Sequence, residues 1–308
     1  MKIIENLEKE RLDFVNRNCA FSTIGIALTI LGLSLMIVGV VFSFGPIIGL
    51  IVGIVGIIMN TIKKSKDKKF ADTLREKIIN AVINESFGDD AKYHKNQYVN
   101  SNLVNSTKLY QMPDRVEGED LITGTYKGVK FYVSDYKMQE ENTYVDNEGH
   151  RHTSYETYFK GRWYVFDYER DFGQTLKIVE CKNGKPRIDT RGLEEIEVES
   201  IAFCNKFAVY TTSKQFGFII LKPQFQEKIL ELEAMNKGNI SLAYINGMLH
   251  IAVNDYKDYL EINIKKPITN KSIEPIVGQI NIIGAIINEL KLDSSTFKSI
   301  EGRKDKIV

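Results

Sequence analysis

The chain has 308 residues, a formal net charge of +1, 43% hydrophobic and 26% charged residues. This is ordinary globular composition with room for one large domain or two small ones, and it excludes a strongly basic nucleic-acid-binding protein. Only three cysteines are present, too few and too far apart for a disulfide scaffold or a cysteine metal site, so a reducing compartment is the simpler assumption.

From the N-terminus, Asn18 to Ile62 is a run of 45 residues without a charged side chain. A hydrocarbon core of about 30 Å needs about 20 helical residues, so this run predicts two spans. It is too long for a signal-peptide core, and Glu5, Glu8, Glu10 and Asp13 precede it. Asn16-Arg17-Asn18 is a poor lead-in to lipidation at Cys19. Phe42-Ser43-Phe44-Gly45-Pro46 reads as a turn between helices at about residues 20–41 and 46–62. Gly25, Gly32 and Gly39 share one face of the first helix, and Gly49, Gly53 and Gly56 recur on the second. Such faces allow close packing of helices in lipid, here the two on each other, or alternatively self-association through Gly49 and Gly53.

Lys2, Lys9, Arg11 and Arg17 precede the spans, and Lys63, Lys64, Lys66, Lys68 and Lys69 follow them. Both ends are therefore expected on the cytoplasmic side of a bacterial plasma membrane, where the second lysine cluster can touch anionic headgroups. The remaining residues, 70–308, hold 32 basic and 35 acidic side chains and show no nucleic-acid face.

Phe70, Leu74, Ile78 and Val82 predict an amphipathic helix over about 66–87, stopped by Gly88. Residues 89–120 read as mostly irregular. Leu121–Tyr126 and Val129–Met138 predict a hairpin around Lys127-Gly128, Gln139–Ser154 a charged loop, and Tyr155–Tyr168 an aromatic strand. Leu176–Cys181, Phe207–Thr211 and Phe216–Leu221 follow as strands, with Lys182–Pro186 as a turn. Pro223 opens a helix with Phe225, Ile229, Leu232 and Met235 on its apolar face, closed by Gly238. Ile240–Ile245 and Met248–Val253 flank Asn246-Gly247, the preferred type I′ hairpin pair. Tyr259–Ile264 reads as a strand. A final helix near Pro275 carries Ile276, Ile280, Ile283, Ile287 and Leu290, and a charged tail begins at Ser294.

Strands joined mainly by hairpins predict an α+β fold: a transmembrane helical hairpin, then a mainly antiparallel-sheet domain with two or three packed helices. The expected organisation is a cytosolic segment 1–19, the hairpin 20–62, a juxtamembrane helix 63–88, a cytosolic α+β domain 89–293 and a tail 294–308.

Phe203, Phe207, Val209 and Tyr210, then Leu221-Lys222-Pro223-Gln224-Phe225 leading into Leu232-Glu233, form a pattern that continues in Ile240-Ser241-Leu242, Gly247, Leu249 and Ile251-Ala252-Val253. With Gly118-Glu119-Asp120 before Gly124, and Gly161 ahead of an aromatic strand, this resembles a bacterial family of uncharacterised membrane proteins, the domain of unknown function numbered 3137. The resemblance spans residues 90–292 loosely and rests on core and turn positions. It implies an N-terminal pair of membrane segments and no assigned activity.

Two places could bind metal. His150 and His152 would share a strand face, but zinc wants about four ligands and no cysteine is near, so a polar loop tip is the default. Asp167, Glu169 and Asp171 alternate and could offer oxygens to Mg²⁺ or Ca²⁺, with Arg162 and Arg170 close enough to neutralise them instead. Glu119-Asp120 would point to opposite faces of a strand, which argues against shared acid–base work. Cys204 reads as a small core hydrophobe. Trp163, Tyr164, Phe166 and Tyr168 read as sheet packing. No nucleophile elbow, phosphate loop, zinc-protease motif or redox cysteine pair occurs. No catalytic residue or cofactor is expected. The expected partners are the lipid bilayer and a protein at the cytosolic membrane face, in an interaction module without chemistry; a metal-dependent enzyme is the alternative.

Overall fold

A computed structural model describes residues 2–41, 46–168, 170–181, 188–236 and 238–297. The expected turn at Phe42–Pro46 lies largely outside these residues, as do Glu169, the turn at Lys182–Pro186 and most of the tail from Ser294. The chain divides into two compact units, Met1–Ile79 with Leu260–Val277, and Asn80–Tyr259 with Gly278–Val308.

The first unit is built on two long helices, α1 (Lys2–Val41) and the N-terminal part of α2 (Ile47–Phe87). α1 starts at Lys2, not near residue 20, because the polar N-terminal stretch has its own ties. Arg11 pairs with Glu8 at 2.6 Å and donates to the Ile264 carbonyl at 3.1 Å. Glu8 accepts from the Ile268 amide at 2.6 Å, and Lys77 pairs with Glu10 at 2.6 Å. The Arg11 guanidinium holds the Glu8 carboxyl below the usual carboxylate range. Phe14 and Phe70 stack at 3.9 Å between ring centroids.

Farther along, glycines set the helix spacing. A Cβ on Gly32 would lie 2.3 Å from the Gly53 nitrogen, and one on Gly49 would lie 2.4 Å from the Met36 nitrogen. A Cβ on Gly56 would lie 2.5 Å from the Thr29 nitrogen, and one on Gly25 2.7 Å from Asn60 Oδ1. A Cβ on Gly53 would make only ordinary contact, 3.9 Å from the Gly32 Cα. Gly39 is buried in α1. A side chain at 32 therefore forces the backbones apart, since the obstructing atoms are main chain. Thr29 and Asn60, whose side chains meet at 3.5 Å, should form a disulfide as a Thr29→Cys/Asn60→Cys pair in a Cys19→Ser background. Adding Gly32→Val should abolish that cross-link; an undiminished yield would show that the pair does not need the glycine contact.

The second unit carries a nine-stranded sheet and covering helices. In chain order its elements are β1 (Lys92–His94), α3 (Ser101–Ser106), β2 (Arg115–Tyr126), β3 (Val129–Val145), β4 (Arg151–Asp167), β5 (Leu176–Glu180) and β6 (Glu194–Ile196). Then follow α4 (Ile201–Cys204), β7 (Phe207–Thr211), α5 (Lys214–Ile220), α6 (Pro223–Met235), β8 (Asn239–Ile245), β9 (Met248–Asn254) and α7 (Asn270–Glu289), which begins in the first unit. The sheet order is β1-β2-β3-β4-β9-β8-β5-β7-β6, and the pairings are antiparallel. The fold is α+β, as the hairpin-rich pattern indicates.

One face of the sheet packs Tyr136, Met138, Phe159, Trp163, Val165, Val179, Ala243 and Ala252 against Val99, Val104 and Leu109. The segment 89–120, expected to be irregular, thus holds β1 and α3 and supplies a lid of apolar residues. On the other face Tyr164 meets Gln279 of α7 at 3.3 Å, and Gly284 lies against Phe87 and Tyr126.

Several local expectations are corrected. Phe216–Leu221 is α5, not a strand: Ser213 caps the Phe216 amide, and Phe216 and Ile220 are buried one helical turn apart. Gln139–Ser154 is not a loop. β3 and β4 stay paired to Val145↔Arg151, and beyond Gln139 they are paired only with each other among the described residues. Tyr259–Ile264 has no strand pairing. α7 begins before Pro275 because Thr269 and Ser272 cap it reciprocally, Ser272 N to Thr269 Oγ1 at 3.2 Å and Thr269 N to Ser272 Oγ at 2.8 Å. On α6, Met235 is exposed, and Glu233, paired with Lys206, is buried in its stead. Cys204 is exposed rather than a core residue.

Candidate functional site

The most unusual chemistry in the second unit is a group of three aspartates and one arginine, of which Asp120 and Arg162 are buried and Asp135 and Asp258 are partly exposed. Asp120 arrives there through backbone geometry. The β2–β3 register shifts between Glu119 and Ile122, and Asp120 takes a φ of 60°. Such a bulge re-aims side chains, and an aspartate tolerates the left-handed region better than most residues. The Asp120 amide donates to the Lys95 carbonyl at 2.9 Å, its side chain is fully buried, and Tyr93 donates its hydroxyl to Asp120 Oδ1 at 2.5 Å. Glu119 is exposed but faces Asp135 across the strands and lines the same cleft, so the bulge brings the two neighbours to one side, against the alternation expected of a regular strand.

Asp135 on β3 sits directly opposite Arg162 on β4. Facing residues of an antiparallel pair share a side, so the two meet, with Arg162 Nε 3.0 Å from Asp135 Oδ1. Asp258 follows β9 in a segment anchored by the Tyr256 amide on the Lys160 carbonyl at 2.9 Å. One carboxylate oxygen each from Asp120, Asp135 and Asp258 lies within 4.8 Å of the others.

Burial pushes the Asp135 carboxyl up to about 7; Arg162 pulls it down, and the charges of Asp258, Asp120 and Glu119 raise it again. Burial works against the Arg162 charge too, but the facing carboxylates, Asp135 first, outweigh it and keep the guanidinium charged. Around neutral pH the Asp135 carboxyl is therefore close to half protonated beside a charged guanidinium.

Above it opens a cleft of about 400 Å³, with Asp135 and Asp258 at its floor and Glu117, Glu119, Lys137, Lys160 and Lys257 among its walls. Lys137 pairs with Glu117 at 3.0 Å. The cleft is polar and carries both signs of charge. It suits a ligand with a cationic group that can reach the floor.

The residues singled out in sequence are distributed elsewhere. Asp167 ends β4 and Asp171 accepts from the Gly173 amide at 2.9 Å in the following loop. Neither belongs to the carboxylate group above, and Glu169 lies outside the described residues. His150 and His152 are brought together at the β3–β4 tip around Asp146. Lys63 pairs with Asp67 at 2.7 Å, Lys66 lies 5.3 Å over the Phe21 ring, and Lys64, Lys68 and Lys69 are exposed. Asp135, Asp258 and Arg162 are not legible as a set in the sequence. Their sequence separation leaves no spacing to read; only the strand pairing unites them.

A family model described as "Protein of unknown function (DUF3137)" matches residues 157–292. No curated protein matches the chain. Among solved structures, the chain is similar to the crystal structure of the mycobacterial trehalose monomycolate transport factor A, TtfA. That match has a TM-score of 0.38 and 7% identity, covering 70% of this chain and 95% of that one.

Proposed function

We propose that this chain, which belongs to the DUF3137 family through residues 157–292, is a membrane-tethered binding module whose folded domain faces the cytoplasm. The observation that carries this is the surface of α1 and α2. Ile26, Ile30, Leu33, Ile37, Ile47, Ile51, Ile54 and Ile57 are all exposed on helices long and apolar enough to cross a bilayer. Such faces are unfavourable in water and favourable in hydrocarbon. The lysines after the second span and the basic residues before the first favour both flanks inside. The lysines at 63–69 lie against the headgroups, and the 89–293 region forms the cytosolic domain.

The partner we assign to the cleft is a protein presenting a lysine or arginine side chain to Asp135 and Asp258. A metal-dependent enzyme is the second reading, moved from residues 167–171 to the three aspartates that approach within 4.8 Å. Arg162, 3.0 Å from Asp135, already supplies the positive charge a metal would bring, and this ranks the binding reading first.

Alkaline carbonate should leave the chain in the membrane pellet. A membrane-impermeant maleimide should label the exposed Cys204 only after the membrane is permeabilised. Release by carbonate would overturn the tether, and labelling in intact cells would overturn the orientation. Cross-linking in native membranes should trap a protein partner that the Asp258→Lys variant loses; equal capture by both would remove the cleft from the interface.

A further inference from the structure

The β3–β4 ribbon runs on past the strands beside it, and its outer edges are covered over only part of that length. β2 begins at Arg115, opposite Gln139, and β9 ends at Asn254, opposite Gly161. Where those strands stop, single residues take over the edge. On β3, the Asp114 amide donates to the Gln139 carbonyl at 3.0 Å, and Asp114 Oδ2 accepts from the Glu141 amide at 2.8 Å. On β4, the Asn254 side chain serves the Lys160 amide and the Tyr158 carbonyl, both at 3.0 Å. Tyr256 donates its hydroxyl to the Thr157 carbonyl at 2.9 Å. Toward the tip from Thr157 this cover ends.

Gln139 and Glu141 use their backbone groups on the outer side of β3, so they form non-hydrogen-bonded pairs with the residues opposite, Thr157 and Tyr155. Alternation extends this to Thr153 and Arg151. The amides and carbonyls of Arg151, Thr153 and Tyr155 therefore point away from β3, and residues 151–156 are exposed. Among the described residues no backbone or side-chain group bonds them.

We propose that this edge of β4 pairs with the same edge of a second copy of the chain, antiparallel across a twofold axis at Thr153. The sequence is self-complementary in that register. Thr153 faces Thr153, Arg151 faces Tyr155, and His150 faces Glu156. Paired threonines, a guanidinium against an aromatic ring and an imidazole against a carboxylate are all favourable across strands. A slip of two residues one way sets Tyr155 against Gly149, and the other way sets Arg151 against the covered Thr157. The pairing makes about six backbone hydrogen bonds and turns two marginal ribbons into one four-stranded sheet. Because the same patch is used on both copies, the contact closes at a dimer.

The test is cross-linking of single-cysteine full-length chains in native membranes, with Cys19, Cys181 and Cys204 replaced by serine. Facing residues of a hydrogen-bonded antiparallel pair lie about 5.5 Å apart between Cα atoms, within the range of a disulfide. Thr153→Cys should therefore give a disulfide-linked dimer under mild oxidation. Tyr144→Cys is equally exposed but lies on β3, and the two β3 strands stand about 14 Å apart in the paired ribbons, so its yield should be about tenfold lower or less. Adding Tyr155→Pro to Thr153→Cys removes an outward amide without touching the β3–β4 ladder. The dimer should then fall to the level of Tyr144→Cys, with an unchanged circular dichroism spectrum. No dimer from Thr153→Cys would overturn the inference. So would equal yields from positions 153 and 144, the mark of random collision, or a yield that survives Tyr155→Pro.

Discussion

Replacing Arg162 with methionine should destabilise the second unit by about 3–5 kcal/mol at neutral pH, the cost typical of stripping one partner from a buried ion group. Arg162 is 1% exposed, and it is the cation facing three aspartates whose oxygens lie within 4.8 Å of one another. Without it, two or three negative charges face each other in a poorly solvated space, and protons must be taken up to relieve them. The loss should therefore be larger at pH 8 than at pH 5, where Asp135 is protonated. Adding Asp135→Asn to Arg162→Met should restore part of the stability at pH 8 and little at pH 5. Denaturation can be followed through Trp163, the single tryptophan of the chain and the next residue along β4. Methionine fills similar volume, so the packing contribution is small and the signal is electrostatic. A loss below about 1 kcal/mol with no pH dependence would mean that water screens the group as it does a surface pair.

This group also shows where reading the sequence stops. The alternation and aromatic content of 155–168, the Asn246-Gly247 turn and the strict period of Ile280, Ile283 and Ile287 are local signals, and each led to the right element. Gly32 and Gly49 can be placed on helix faces from sequence for the same reason, because a period of 3.6 can be counted along one segment. Arg162, Asp135 and Asp258 have no such signature. They meet because β3 pairs with β4 in one register and β4 pairs with β9 in another, which are long-range choices. Asp120 needs, in addition, a bulge that shifts the β2–β3 register. Strand alternation places Asp120 and Glu119 on opposite sides, and the bulge overturns this by turning both toward Asp135.

The local errors have a common origin as well. Phe216-Gly-Phe-Ile-Ile has strand composition, yet a serine cap one residue before the element made it helical. The charged stretch 139–154 has loop composition, yet it forms a two-stranded ribbon, which is wet on both faces and has nothing to bury. The same composition hides the tip geometry: His150 and His152 stand out as a pair in sequence, whereas Asp146 meets them only through the folded-back turn.

A pH series should separate two buried groups with opposite signs. Burial holds His250 down to about 3, well below its ordinary 6.5; its Nδ1 accepts from Trp163 Nε1 at 3.2 Å, and the side chain is fully buried. A depressed histidine favours the folded state fully above about pH 6.5, and that contribution is lost as pH falls toward 3. Asp135 does the reverse. Raised from 3.8 to about 7, it favours the folded state most below pH 3.8 and loses that contribution as pH climbs through 7. Between these limits the two slopes oppose each other, each amounting to at most about 3–4 kcal/mol between neutral pH and pH 4. The wild type should therefore change little in that window on their account. His250→Gln, which keeps an acceptor for Trp163, should become more stable relative to wild type as pH falls from 7 to 4. Asp135→Asn should become less stable over the same range, so the variants diverge by several kcal/mol at the acid end. Parallel curves for all three proteins would show that neither group titrates in the folded state as its burial requires.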